Sequence, residues 1–147
     1  GAGHAVALPF DMGGRLNPGV DILNFLIRRG ICATLFPTGA MAQTGQRPVP
    51  YWRPPYGSVN SAVIQAAAAA GYTKTFMWDI DTVDWNPISD GGPTAQQIAT
   101  KVITQAESGS NVLMHLGGYE TLDALRIMVP GLRDRGFRLT SLSDLLH

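Results

Sequence analysis

Short apolar runs alternate with helix-patterned segments along the whole chain, and that alternation leaves few folds open to it. Residues 5–10 form the first strand-like run. Pro18 then opens a helix, with Asn17 as its N-cap and Gly30 as its stop, and Val20, Leu23, Leu26 and Ile27 share one face. Residues 33–36 read as the second strand, and residues 38–50 as a loop carrying Gly39, Gly45, Pro48 and Pro50. Tyr51-Trp52-Arg53 reads as the third strand, stopped by Pro54-Pro55. Ser58 or Asn60 caps a helix that runs through the alanines at 66–70 to Gly71. Residues 73–78 read as the fourth strand. Thr94 with Gln97 makes a capping box for a helix reaching about Gly109, with Ile98, Val102 and Ile103 as its buried stripe. Residues 111–115 are the fifth strand. Residues 121–135 are helical and either kink or divide at Pro130, and Gly136 ends them. Residues 137–142 supply a sixth strand, and residues 143–146 a final turn.

Such alternation implies an α/β fold with parallel strands and outer helices. An open doubly wound sheet and a (β/α) barrel both fit. A full eight-fold barrel takes about 250 residues, and 147 residues leave room for about six βα units of roughly 25 to 30 residues in one domain. Eleven basic and eleven acidic side chains cancel, so charge gives no argument for a nucleic-acid partner. No window holds the ~18 continuous apolar residues of a membrane span, and Gly1-Ala2-Gly3-His4 has no signal-peptide pattern. Cys32, the single cysteine, excludes an internal disulfide and is expected to be a small buried residue.

Polar residues sit at the ends of several strand-like runs, which is the active-site pattern of α/β proteins. Asp11 precedes Met12-Gly13-Gly14, and a carboxylate backed by glycines is either presented to a ligand or caps its own turn. Arg53, stiffened by Pro54-Pro55, is placed to pair with a carboxylate, in a site or in a structural ion pair. Tyr56 offers a backbone N–H to an oxyanion, or packs. Asp79, Asp81 and Asp84 lie close together but lack the glycine and glutamate of a calcium loop. One of them is expected to orient a basic partner while the others cap the loop. Trp85 is a sugar-stacking platform or the lid of a core. His115, before Leu116-Gly117-Gly118, suits general acid or base work. His4 and His147 are too scattered to make a zinc site with it.

Four motifs then occur in one order: Pro9-Phe10-Asp11-Met12-Gly13, Arg53-Pro54-Pro55-Tyr56-Gly57, Asp81-Thr82-Val83-Asp84-Trp85 and Leu113-Met114-His115. With Gly136-Phe137-Arg138-Leu139 near the C-terminal end, they make most of the chain resemble the polysaccharide deacetylase family, also called carbohydrate esterase family 4 or the NodB homology domain. The resemblance implies a distorted, incomplete (β/α) barrel. It also implies a hydrolase that removes N- or O-linked acetyl groups from a polysaccharide such as chitin or peptidoglycan, in a secreted or cell-envelope setting. Carried over by position, Asp11 is the base that activates water and Arg53 holds it. His115 is the acid that protonates the leaving group and Asp84 orients it. The Tyr56 backbone helps to hold the oxyanion, and Trp85 contacts the glycan.

Two departures concern the divalent metal (zinc, cobalt or manganese) that the family implies as cofactor. Its second aspartate position is Met12 here, and a thioether is a poor ligand in an oxygen- and nitrogen-rich site. Its two-histidine motif should fall between the second strand and Arg53, yet residues 38–50 contain no histidine. The expectation is one domain over residues 1–147 that lacks a segment near residues 44–47, with no metal ligand in the chain as written. Either that segment is missing from a longer protein, or the chain is a deletion that keeps the fold, or it is a metal-free, inactive carbohydrate-binding relative.

Overall fold

The structure, a computed structural model, describes residues 4–11, 17–36, 51–52, 74–75 and 78–141. The chain falls into two compact units, residues 1–35 with 78–147, and residues 36–77. In the first unit the strands are β1 (Ala5–Ala7), β2 (Phe10–Asp11), β3 (Leu35–Phe36, ending where the second unit begins), β6 (Ile80–Asp81), β7 (Val112–His115) and β8 (Arg138–Thr140). The helices are α1 (Asn17–Arg28), α2 (Ala95–Gln105) and α3 (Thr121–Asp134). In the second unit the backbone forms β4 (Tyr51–Trp52) and β5 (Lys74–Thr75), paired in parallel with Tyr51 opposite Lys74.

The run at residues 5–10 is a strand interrupted at Leu8 and Pro9, since proline has no N–H to give to a ladder. Its first half pairs with β8 and its second half with β7, both in parallel. The larger sheet has the order β3-β2-β7-β6. Residues 5 to 10 are fully buried on both faces, as strands inside a layer of helices must be. Val6, Leu8 and Phe10 meet Val112, Met114 and Leu116 in one core with Ile22 and Leu26 of α1, Ile98 and Val102 of α2, and Leu125, Met128 and Leu132 of α3. The parallel strands and outer helices agree with the expected α/β barrel-like class.

Helix ends follow local chemistry. Thr94 and Gln97 do form a capping box, with the Gln97 N–H 3.1 Å from the Thr94 hydroxyl and the Thr94 N–H 2.9 Å from the Gln97 side chain. α1 stops at Gly30 (φ 68°), where the Gly30 and Ile31 N–H groups return to the carbonyls of Ile27 and Leu26. This closure pulls Ile31 into the core and turns Cys32 outward, so Cys32 is exposed and not the buried residue expected. The face of α1 also differs from expectation. Ile22, Phe25 and Leu26 are buried, whereas Val20 and Ile27 are 65% and 73% exposed. Gly19 faces Leu116, against which an added Cβ would rest in ordinary contact at 3.6 Å. α2 ends at Gln105, before the expected Gly109, and α3 runs unbroken through Pro130. Of the strand expected over residues 73–78, residues 73, 76 and 77 lie outside the described residues. Lys74–Thr75 is strand, as expected, and Ile80–Asp81 is a further strand beside β7.

Candidate active site

Three strands deliver carboxylates and a histidine to one rim. β2 ends on Asp11 and β7 on His115, and the two are register partners. Direct neighbours in parallel strands lie about 4.8 Å apart with side chains on the same face. β6 ends on Asp81, and the chain turns immediately. The Asp81 Oδ1 accepts the Val83 N–H at 2.9 Å, and the ammonium of Lys101, on α2, donates to the Asp81 carbonyl at 2.6 Å. Val83 takes a left-handed backbone (φ 55°), a conformation that costs a β-branched residue roughly 1–2 kcal/mol. This turn carries the chain from Asp81 to Asp84, whose carboxylate meets His115 of β7.

Asp84 is almost wholly buried, and donors converge on its carboxylate. Oδ1 accepts from His115 Nδ1 at 2.8 Å. Oδ2 accepts from the His115 backbone N–H at 2.9 Å and from the Thr121 hydroxyl at 2.5 Å. The Asp84 carbonyl accepts the Tyr119 N–H at 3.0 Å. A carboxylate only accepts, so Nδ1 of the ring carries a proton, and Nε2 is left to hold or move one. The histidine side chain keeps 27% of its surface open, against none for Asp84.

The His115 pKa lies above its ordinary value of 6.5. Desolvation is the largest single influence and pushes it down. The hydrogen bond to Asp84, then the charges of Asp84, Asp11 and Asp81, together push it up by more. The surrounding carboxylates therefore favour the imidazolium more than in an ordinary histidine, which suits a group that gives a proton.

Of the three aspartates, Asp84 bonds to the His115 ring and Asp81 caps its own turn, whereas Asp79 does not cap the loop as expected but accepts the Asn111 N–H at 2.9 Å at the other end of the strand. Trp85 follows Asp84 and is 56% exposed. Arg53, Tyr56, Met12 and residues 44–47 lie outside the described residues, as do the helix expected to reach Gly71 and the final turn. Sequence reading missed Thr121 and Gly118. A Cβ on Gly118 would sit 1.8 Å from the Thr121 hydroxyl and 2.6 Å from Asp84 Oδ2, so the site needs glycine there. The available signal was the glycine pair after His115, followed by a hydroxyl residue at the start of α3.

The described residues do not fit the divalent metal that the resemblance implies. Among them, no three His, Cys, Asp or Glu side chains come together to hold an ion. His4 bonds to the Ser108 hydroxyl at 2.9 Å at the opposite end of the strands, and the Asp84 oxygens are taken by three donors. A polar cavity of about 360 Å³ also lies at that opposite end, lined by Asp79, Glu107, Ser108 and Ser110, away from His115.

No family model matches the chain. Over 100 residues it is 37% identical to a peptidoglycan-N-acetylglucosamine deacetylase of Bacillus cereus, a match covering 65% of this chain and 45% of that protein. The chain thus spans less than half the length of this curated relative. In structure it is similar to a CE4 family pseudoenzyme from Bacillus anthracis, with a TM-score of 0.84 at 20% identity over 98% of this chain and 66% of the other. A family 4 carbohydrate esterase from Streptomyces lividans, in complex with acetate, gives a TM-score of 0.73 at 20% identity over 93% of this chain and 92% of the other.

Proposed function

Because the chain belongs to the polysaccharide deacetylase family, carbohydrate esterase family 4, we propose that it is a hydrolase removing N- or O-linked acetyl groups from a polysaccharide such as peptidoglycan or chitin. The observation that carries this reading is the buried Asp84–His115 pair, set at the end of β7 beside Asp11. Asp11 takes a proton from the water that attacks the acetyl carbonyl. The tetrahedral intermediate then collapses, the bond from carbonyl carbon to the sugar nitrogen or oxygen breaks, and His115 Nε2 gives its proton to the departing atom. Asp84 holds the imidazolium and fixes the ring. Trp85 stacks on a sugar ring, and the roles that the resemblance implies for Arg53 and Tyr56 fall on residues outside the described ones.

Residues 1–147 are read as one domain of this family lacking a segment near residues 44–47. Family membership implies a divalent ion, but outside the described residues the sequence offers only Asp144 and His147 as carboxylate or imidazole side chains, so no step is assigned to the ion. Family relatives named for peptidoglycan and chitin support an envelope or secreted setting, and no helix among the described residues is long and apolar enough to cross a membrane.

The test is acetate release from N-acetylated chito-oligosaccharide, with and without added zinc, cobalt or manganese. The expected result is release that falls about 10²–10⁴-fold in Asp11→Asn and in His115→Asn. Equal rates for Asp11→Asn and the parent would refute the assignment. Glycan binding without turnover by the parent would instead make it a non-catalytic, metal-free relative.

A further inference from the structure

The loop after His115 turns back and closes around Asp84. The Gly118 N–H donates to the His115 carbonyl at 3.1 Å, the Tyr119 N–H to the Asp84 carbonyl at 3.0 Å, and the Thr121 hydroxyl to Asp84 Oδ2 at 2.5 Å. Thr121 is 1% exposed, so no bulk water competes for that oxygen. A threonine opening a helix ordinarily turns its hydroxyl to a free helix N–H. Here the N-cap position, Glu120, makes no side-chain cap, and the Thr121 hydroxyl goes to Asp84.

We propose that Thr121 is the positioning residue of the pair: with the His115 N–H it locks Oδ2, so that Oδ1 faces Nδ1 of the ring. Two donors on one oxygen define the carboxylate plane. A single donor does not, because rotation about the terminal bond of an aspartate is soft. Gly118 completes the device by leaving room for the hydroxyl to reach the carboxylate. The proposal deepens the reading of His115 as proton donor and rests on it for its catalytic consequence.

The experiment compares the parent with Thr121→Val, which keeps the shape and removes the donor, and Thr121→Ser, which restores the donor. Proton NMR follows the Nδ1–H resonance and the titration of His115, and acetate release gives kcat, KM and the pH profile. In Thr121→Val the Nδ1–H resonance broadens and His115 titrates lower than in the parent. There kcat falls about 10–100-fold, the scale for losing a group that orients a reactive side chain, with KM unchanged. Thr121→Ser returns both readouts to the parent values. An unchanged Nδ1–H resonance and titration in Thr121→Val overturns the proposal. So does unfolding of both Thr121→Val and Thr121→Ala while Thr121→Ser folds, because the hydroxyl would then serve the fold. The NMR readouts need no turnover, so a chain that releases no acetate defeats the deacetylase reading and leaves the positioning role to be decided by them.

Discussion

Replacing Asp84 by Asn keeps the shape of the buried side chain and removes its charge. Three donors converge on the carboxylate, from the His115 ring, the His115 backbone and the Thr121 hydroxyl. An amide has one acceptor oxygen, so at least one donor is left facing an N–H. That mismatch costs about 1–3 kcal/mol at any pH. The charge adds a pH-dependent part. Desolvation of His115 remains, while the two largest influences holding its pKa up, the hydrogen bond and charge of Asp84, are gone. In the parent, whose folded pKa is raised, protonated His115 contributes stability that is fully present below pH 6.5 and is lost as pH rises through the folded pKa. In Asp84→Asn that contribution vanishes or reverses. The parent-minus-variant difference should therefore be larger at about pH 5.5 than at about pH 9. At low pH it should reach roughly 3 kcal/mol, the lower end for a broken buried pair because the histidine is 27% open. Urea unfolding of both proteins at the two pH values measures it. An equal difference at both, or a larger one at high pH, would refute the reasoning.

Two glycines separate a rigid clash from a soft one. Gly118→Ala drives a methyl into Thr121 and Asp84, and should cost about 1–3 kcal/mol in a urea titration and abolish the low-field Nδ1–H resonance. Gly131→Ala meets only the end of the Ile103 side chain at 2.4 Å, and alanine gains about 1 kcal/mol in a helix, so its thermal midpoint should stay near the parent's. Val83→Asn should raise the thermal midpoint, releasing on the order of 1 kcal/mol, since asparagine tolerates the left-handed backbone. Thr94→Ala should lose ~1 kcal/mol in urea with acetate release unchanged, because the cap lies at the exposed start of α2, away from His115.

Parallel strands and their polar ends were legible because a buried parallel strand writes itself as an uninterrupted apolar run, as at residues 5–10, with its first polar residue at the rim. The Thr94 box was legible because it is a contact between residues three apart. The exposed side of α1 was not. Val20 and Ile27 are as apolar as Ile22 and Phe25, and packing against residues distant in the chain decides which stripe turns inward. Cys32 was misread because the turn at Gly30 commits Ile31 to the core. Asp84 was singled out by its place in a motif, but its partnership with Thr121 spans 37 positions and leaves no periodic trace. β6, Ile80–Asp81, was not read as a strand because two residues carry no period to read.

The account stands on His115 being held as a proton donor by carboxylates around it. The most direct measurement is the titration of its ring nitrogens by ¹⁵N NMR in the unmodified chain. The account predicts a midpoint above 6.5, with Nδ1 protonated throughout and Nε2 titrating. A midpoint at or below 6.5, or a neutral ring protonated on Nε2, would contradict it.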